Sequence, residues 1–127
     1  MKVLAADGVS KKGIELLEQA GFEVVIKDKL PAEELLATIP EYDALIVRSA
    51  SKVTAEVIQA ARKLKIIGRA GVGVDNIDVA AATARGIIVI NSPGGNTIAA
   101  TEHTMGMMLA MARHIPVANE TTQKGEW

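Results

Sequence analysis

The stretch ALIVRSASKVTAEVIQAARKLKIIGRAGVGVDNIDVAAATARGIIVIN, residues 44–91, decides the fold. It contains three short apolar runs: ALIVR at 44–48, IIGRA at 66–70 and IIVIN at 87–91. None of them alternates polar with apolar residues. Strands of that kind expect apolar neighbours on both faces, as in a parallel sheet covered by helices. The intervening segments read as helices. Thr54 is placed to cap one that runs to about residue 62, and Asp78 caps another through Thr83, stopped by Gly86.

The same alternation extends in both directions. Upstream, KVLAA at 2–6 and EVVIKD at 23–28 are strands. Between them, residues 10–20 carry Ile14, Leu16, Leu17 and Ala20 at near-helical spacing, with Gly21 as the stop. Pro31 opens a further helix where its missing N–H costs nothing, and Glu33 and Glu34 suit the first turn. Downstream, a long C-terminal crossover helix starts near Asn96 or Thr97 and runs to about residue 115, with Pro116 near its end. Five strand–helix repeats in strict order predict a doubly wound α/β domain with a parallel five-stranded sheet. The expected strand order is 2-1-3-4-5, the flavodoxin-like arrangement.

Composition narrows the function classes. The chain has 127 residues, 49% of them hydrophobic, enough for one core. It has one Phe, one Tyr and one Trp, so that core is aliphatic, and no stacking platform for single-stranded nucleic acid is available. With 14 basic and 15 acidic residues, the net charge of −1 favours neither nucleic acid nor a membrane surface as partner. The absence of Cys excludes disulfides, thiolate metal sites and Cys nucleophiles. Asp7 interrupts the N-terminal apolar run too early for a signal peptide, and no run of about 18 apolar residues occurs, so a cytoplasmic protein is expected. His103 and His114 lack partners at metal-ligand or catalytic spacing; no metal site and no catalytic residue is expected.

The last helix is unusual. Met105, Met107, Met108, Leu109, Met111 and Ala112 make it apolar on nearly every side. A helix of that kind is buried all round, whereas a surface helix carries one stripe. It expects a second lobe, a second subunit or both to pack on it, or else it is a Met-rich core helix of this domain.

Ligands of open parallel sheets bind outside the carboxyl ends of the strands. The residues there are 7–10 (DGVS), 48–51 (RSAS), 69–73 (RAGVG) and 91–96 (NSPGGN). Arg48 and Arg69 end neighbouring strands, which lie roughly 4.8 Å apart. Two guanidinium groups that close repel unless an anion separates them, and their planar fork matches a carboxylate or phosphate. Arg48 also has a plain reading as a surface arginine. Arg62, Lys63, Arg85 and Arg113 sit on or beside helices and are expected to face solvent. Gly71-Val72-Gly73 fails as a dinucleotide fingerprint, since Asn76 holds the third glycine's place and the segment does not follow the first strand of a βαβ unit. It reads as a turn offering N–H groups to an anion, or as an ordinary strand-to-helix turn. A receiver domain is excluded by Arg48 in place of an acidic phospho-acceptor after strand three, and DGVS is a poor flavin phosphate loop.

IVRSASKVTAEVI at 46–58 and GRAGVGVDNIDVAAATARGIIVINSPGGNTIAATEH at 68–103 resemble the D-isomer-specific 2-hydroxyacid dehydrogenase family, in its branch of 3-phosphoglycerate dehydrogenases. The resemblance is close over residues 40–115 and looser over 1–40, and the closing QKGEW is similar to the segment that precedes the family's cofactor domain. It implies NAD-dependent oxidation of 3-phosphoglycerate to 3-phosphohydroxypyruvate, the first step of serine synthesis, by two lobes around a cleft. Here residues 1–96 would be the substrate-binding lobe, 97–115 the inter-lobe helix, and 116–127 a tail leading to a missing NAD-binding domain. Arg48 and Arg69 would hold the anionic substrate, helped by the backbone of Ala70, Gly71 and Gly73. Val72 would lie near the nicotinamide. Asn96 and Glu102 would mark the hinge and Met105 and Met108 the interface, with a homo-oligomer formed through 97–115. The family's catalytic Arg, Glu and His, and its GxGxxG, come later in the chain. The expectation is therefore a truncated or excised lobe, inactive alone and without tight NAD binding. The alternative is a self-associating, helix-swapped assembly module that binds no ligand.

Overall fold

The computed structural model describes residues 1–28 and 30–126. The chain divides into two units, Met1–Gly95 and a second beginning at Asn96. The first contains strands β1 (Lys2–Ala5), β2 (Glu23–Ile26), β3 (Ala44–Val47), β4 (Ile66–Arg69) and β5 (Ile88–Asn91). Helices α1 (Lys11–Gln19), α2 (Ala32–Thr38), α3 (Ala55–Ala60) and α4 (Val79–Ala84) connect them, and a 3-10 turn at Ile39–Glu41 extends α2. All pairings are parallel and the order is β2-β1-β3-β4-β5, as the sequence predicts. The strands are slightly shorter than their apolar runs; Ala6, Arg48 and Ala70 fall just outside them.

Register explains the core. Val25, Leu4, Leu45, Ile67 and Val89 align across all five strands and therefore share one face. That row packs against Leu35 of α2, Val57 and Ile58 of α3 and Ala82 of α4. Each fully buried Leu or Ile contributes about 1.5–3 kcal/mol. The opposite face is less covered than the apolar runs suggest. Ile88 and Ile90 of edge strand β5 are 60% and 51% exposed. With Val3, Leu17, Phe22, Ala44, Ile46, Ile66 and Gly68, Ile90 lines an apolar groove of about 260 Å³. Burial on both faces holds for the central strands β1 and β3 and fails at the β5 edge.

Helix starts follow local chemistry. Ser10, Thr54 and Asp78 cap α1, α3 and α4 by accepting from the N–H groups of Gly13, Val57 and Ala81. Arg85 is exposed, as the sequence suggests, and is nonetheless engaged. Its guanidinium donates to the carbonyl oxygens of Ile58, Gln59 (3.1 Å) and Ala61 (3.3 Å), satisfying the C-terminal end of α3.

The second unit holds α5 (Thr97–Ala112) and α6 (Ile115–Gln123). The expected single helix to residue 115 instead ends at Ala112, and much of the expected tail is helical. Pro116 is the cause. It cannot donate an N–H to the preceding turn, but at the first turn of a new helix that loss is harmless. His114 makes the break in the left-handed region at φ 51°. No residue of α5 is buried, and Met108 and Met111 are 65% and 72% exposed. Among the described residues, no helix is long and apolar enough to cross a membrane.

Candidate functional site

The carboxyl ends of β1, β3, β4 and β5 carry four loops that bond to one another. Asp7, just beyond β1, is only 8% exposed. Its Oδ2 accepts from the backbone N–H of Arg48 (2.8 Å) and Ser51 (2.9 Å), and its Oδ1 from the Ser51 hydroxyl (2.6 Å). Burial pushes the Asp7 carboxyl up. The hydrogen bonds from the Ser51 side chain and from the backbone of Ser51, Arg48 and Ala50 outweigh it and hold the group below its ordinary value. From the other side, Asn76 Nδ2 donates to the carbonyls of Arg48 and Ser51, both at 2.7 Å. Asn91 Nδ2 donates to the Val72 carbonyl (2.7 Å), and the Ser92 N–H to that of Gly71 (2.9 Å).

Arg48 is exposed at the rim of a pocket of about 370 Å³, lined also by Asp7, Gly8, Asp28, Ser49 and Ala50. Among the described residues no carboxylate forms an ion pair with Arg48. Arg69 is half-buried, and its Nε is enclosed without a hydrogen-bond partner among the described residues. Its guanidinium lies so close over Gly71 that a Cβ at that position would collide with it. Gly73 is confined in the same way, since a Cβ there would lie 2.7 Å from Asp75 Oδ1.

The two arginines are not directly opposite one another. Register sets Arg69 beside Val47, so Arg48 is one residue out of step. Successive residues of a strand face opposite sides, and the mutual repulsion argued from spacing does not carry over as stated. The backbone expectation also needs revision. The Ala70 N–H is donated to Val47 O at 2.9 Å, and the Gly71 N–H closes a tight turn onto Arg69 O at 2.9 Å. Among the described residues, nothing accepts from the N–H of Val72 or Gly73. The donors open to an anion are thus Arg48, Arg69 and the 72–73 backbone, with Ala70 and Gly71 shaping the turn.

The Gly71-Val72-Gly73 turn does not fit a dinucleotide's pyrophosphate. A pyrophosphate cradle runs directly into a helix N-terminus, whereas residues 74–78 intervene before α4. The Val72 side chain is exposed on the turn and, being apolar, offers only van der Waals contact. Asn96, Glu102, Met105 and Met108 belong to the second unit; Asn96 flanks α5 without a side-chain cap bond, and the other three are exposed. His103 and His114 are exposed, and no three metal-binding side chains cluster among the described residues.

Sequence reasoning missed Asp7, Ser51, Asn76 and Asn91 as builders of this edge. Asp7 and Ser51 stand shortly after β1 and β3 and Asn91 is the last residue of β5, which is a local signal, whereas Asn76 lies well beyond the end of β4. Their partners lie 19–44 residues away in sequence, which no local pattern reveals.

The structure is an open parallel α/β lobe with two arginines and the free N–H groups of the 72–73 turn at its carboxyl edge. The chain belongs to the D-isomer specific 2-hydroxyacid dehydrogenase family, whose catalytic-domain model matches residues 3–125. It is 55% identical over all 127 residues to the D-3-phosphoglycerate dehydrogenase of Archaeoglobus fulgidus, and spans 24% of that protein. The chain therefore corresponds to about a quarter of the length of this curated relative. A crystal structure of a Thermus thermophilus protein superimposes with a TM-score of 0.90 at 34% identity, covering 100% of this chain and 42% of that one. The NAD+-bound 3-phosphoglycerate dehydrogenase of Entamoeba histolytica gives a TM-score of 0.78 at 38% identity, covering 87% of this chain and 38% of that one.

Proposed function

We propose that this chain is the substrate-binding lobe of a NAD-dependent dehydrogenase acting on 3-phosphoglycerate, and that it binds that anion but does not oxidise it alone. The observation that carries the reading is the enclosed Nε of Arg69, without a partner among the described residues, at the same carboxyl edge of the sheet as the exposed Arg48, where such folds take ligands. A buried donor without an acceptor is costly, and an anionic oxygen would satisfy it. Arg48 and Arg69 hold the substrate's charged groups, and the free N–H groups of Val72 and Gly73 hold its carboxylate. Hydride transfer to NAD, and the proton transfer coupled to it, need groups that the family resemblance places beyond residue 127. A cytoplasmic location, matching that reaction, is part of the proposal.

Calorimetric titration with 3-phosphoglycerate tests this. Binding weakened about tenfold or more by Arg48→Gln and by Arg69→Gln is the expected result. Equal binding by both variants and the native chain would remove the basis of the reading, and NADH formation by the purified chain would refute its inactivity.

A second reading rests on a separate observation. Met105, Met107, Met108, Leu109 and Met111 are all more than half exposed on one helix. Apolar surface of that kind drives association, and a dimer formed through residues 97–115 would cover it.

A further inference from the structure

We propose that Asp7 and Asn76 act together as the positioning residues of the anion site, setting the 48–51 loop so that Arg48 meets the ligand pre-organised. This rests on the reading of Arg48 as an anion ligand. The geometry is reciprocal. Arg48 and Ser51 each have one backbone N–H and one backbone C=O, and all four groups are engaged by two side chains. Asp7 accepts both N–H groups, at 2.8 and 2.9 Å. Asn76 donates to both carbonyls, at 2.7 Å each. Asp7 follows β1 and Asn76 follows β4, the two neighbours of β3 in the sheet, so the loop is held from both sides.

The residue types match the task. An ionised carboxylate only accepts, which suits two N–H groups and a hydroxyl. An amide nitrogen carries two donors, which suits two carbonyls, and a carboxylate in that place would repel them. Asn76 is itself fixed, because its backbone carbonyl accepts from Val53 N (2.8 Å) in a short parallel bridge between Val53 and Ile77. Asp7 spends its charge on backbone and hydroxyl donors. Among the described residues the Arg48 guanidinium is thereby left without an ion-pair partner and open to an external one. A loop ordered in advance spares the ligand the cost of ordering it.

A role through Arg48 differs measurably from a general structural role. Each variant of the 127-residue chain is titrated calorimetrically with 3-phosphoglycerate at low salt, after its amide spectrum shows the native fold. Asp7→Asn and Asn76→Ala should each weaken binding about tenfold, and Arg48→Gln should do so in the native background. Adding Arg48→Gln to either variant should then cost less than about twofold more, because the losses share one route. Fully additive losses would overturn the proposal, as would unchanged binding in both single variants. If Asp7→Asn does not fold, the Asn76→Ala cycle decides alone. No binding by the native chain at millimolar ligand would bring down the anion-site reading itself, and this inference with it; binding by the native chain with additive cycles would bring down only the inference.

Discussion

Gly71 shows how much one missing methyl group can matter. The Arg69 guanidinium occupies the space a Cβ would need. Gly71→Ala should displace that flexible side chain while leaving the backbone, whose φ needs no glycine there, in place. We expect stability within about 0.5 kcal/mol of native, but 3-phosphoglycerate binding weaker by about tenfold, read by thermal melting and calorimetry side by side. Asp7 gives a pH signature. Its carboxyl titrates below its ordinary 3.8 in the folded chain. The stabilisation this brings is present above that ordinary value and is lost as pH falls through the lowered one. Urea midpoints measured from pH 7 down to about pH 3 should fall on the acid side, and Asp7→Asn should flatten that fall.

At the scale of elements, the strands were legible because their Val/Ile/Leu runs are bounded by Gly, Pro and polar residues, and because Ser10, Thr54 and Asp78 announce three helix starts. The exposed apolar face at β5 was not. A run such as IIVIN reads the same whether one or both faces are covered, and only register separates them. Leu45, in the row shared by all five strands, should cost about 2–5 kcal/mol on substitution by Ala. Ile88, at 60% exposure, should cost less than about 0.5 kcal/mol on substitution by Thr. Chemical denaturation of the two variants checks both, and similar losses would mean that the open face is covered in solution. The α5–α6 break was legible in part. Pro116 was seen as an ending, but not as a beginning, because a proline after a helix suits a stop and a new first turn equally well. The site was legible at Arg48, Arg69 and the glycine turn, where residue type carries the chemistry. It was not legible at Asp7 and Asn76, whose meaning lies in contacts across 25–44 residues.

At the scale of the whole molecule, two apolar surfaces stand out: the sheet face at β5 and the methionines of α5. Sedimentation over a concentration series should show self-association, and Met105→Glu with Met108→Glu should return the chain to monomers; a native monomer at high micromolar concentration contradicts the assembly reading. Ligand binding by this lobe is read residue by residue in an NMR titration with 3-phosphoglycerate at low and high salt. An anion held at the carboxyl edge should give saturable, salt-sensitive shifts confined to residues 48–51 and 69–76, with the Val72 and Gly73 amides among the most affected. Shifts spread over the α5 surface, or none at millimolar ligand, would contradict it.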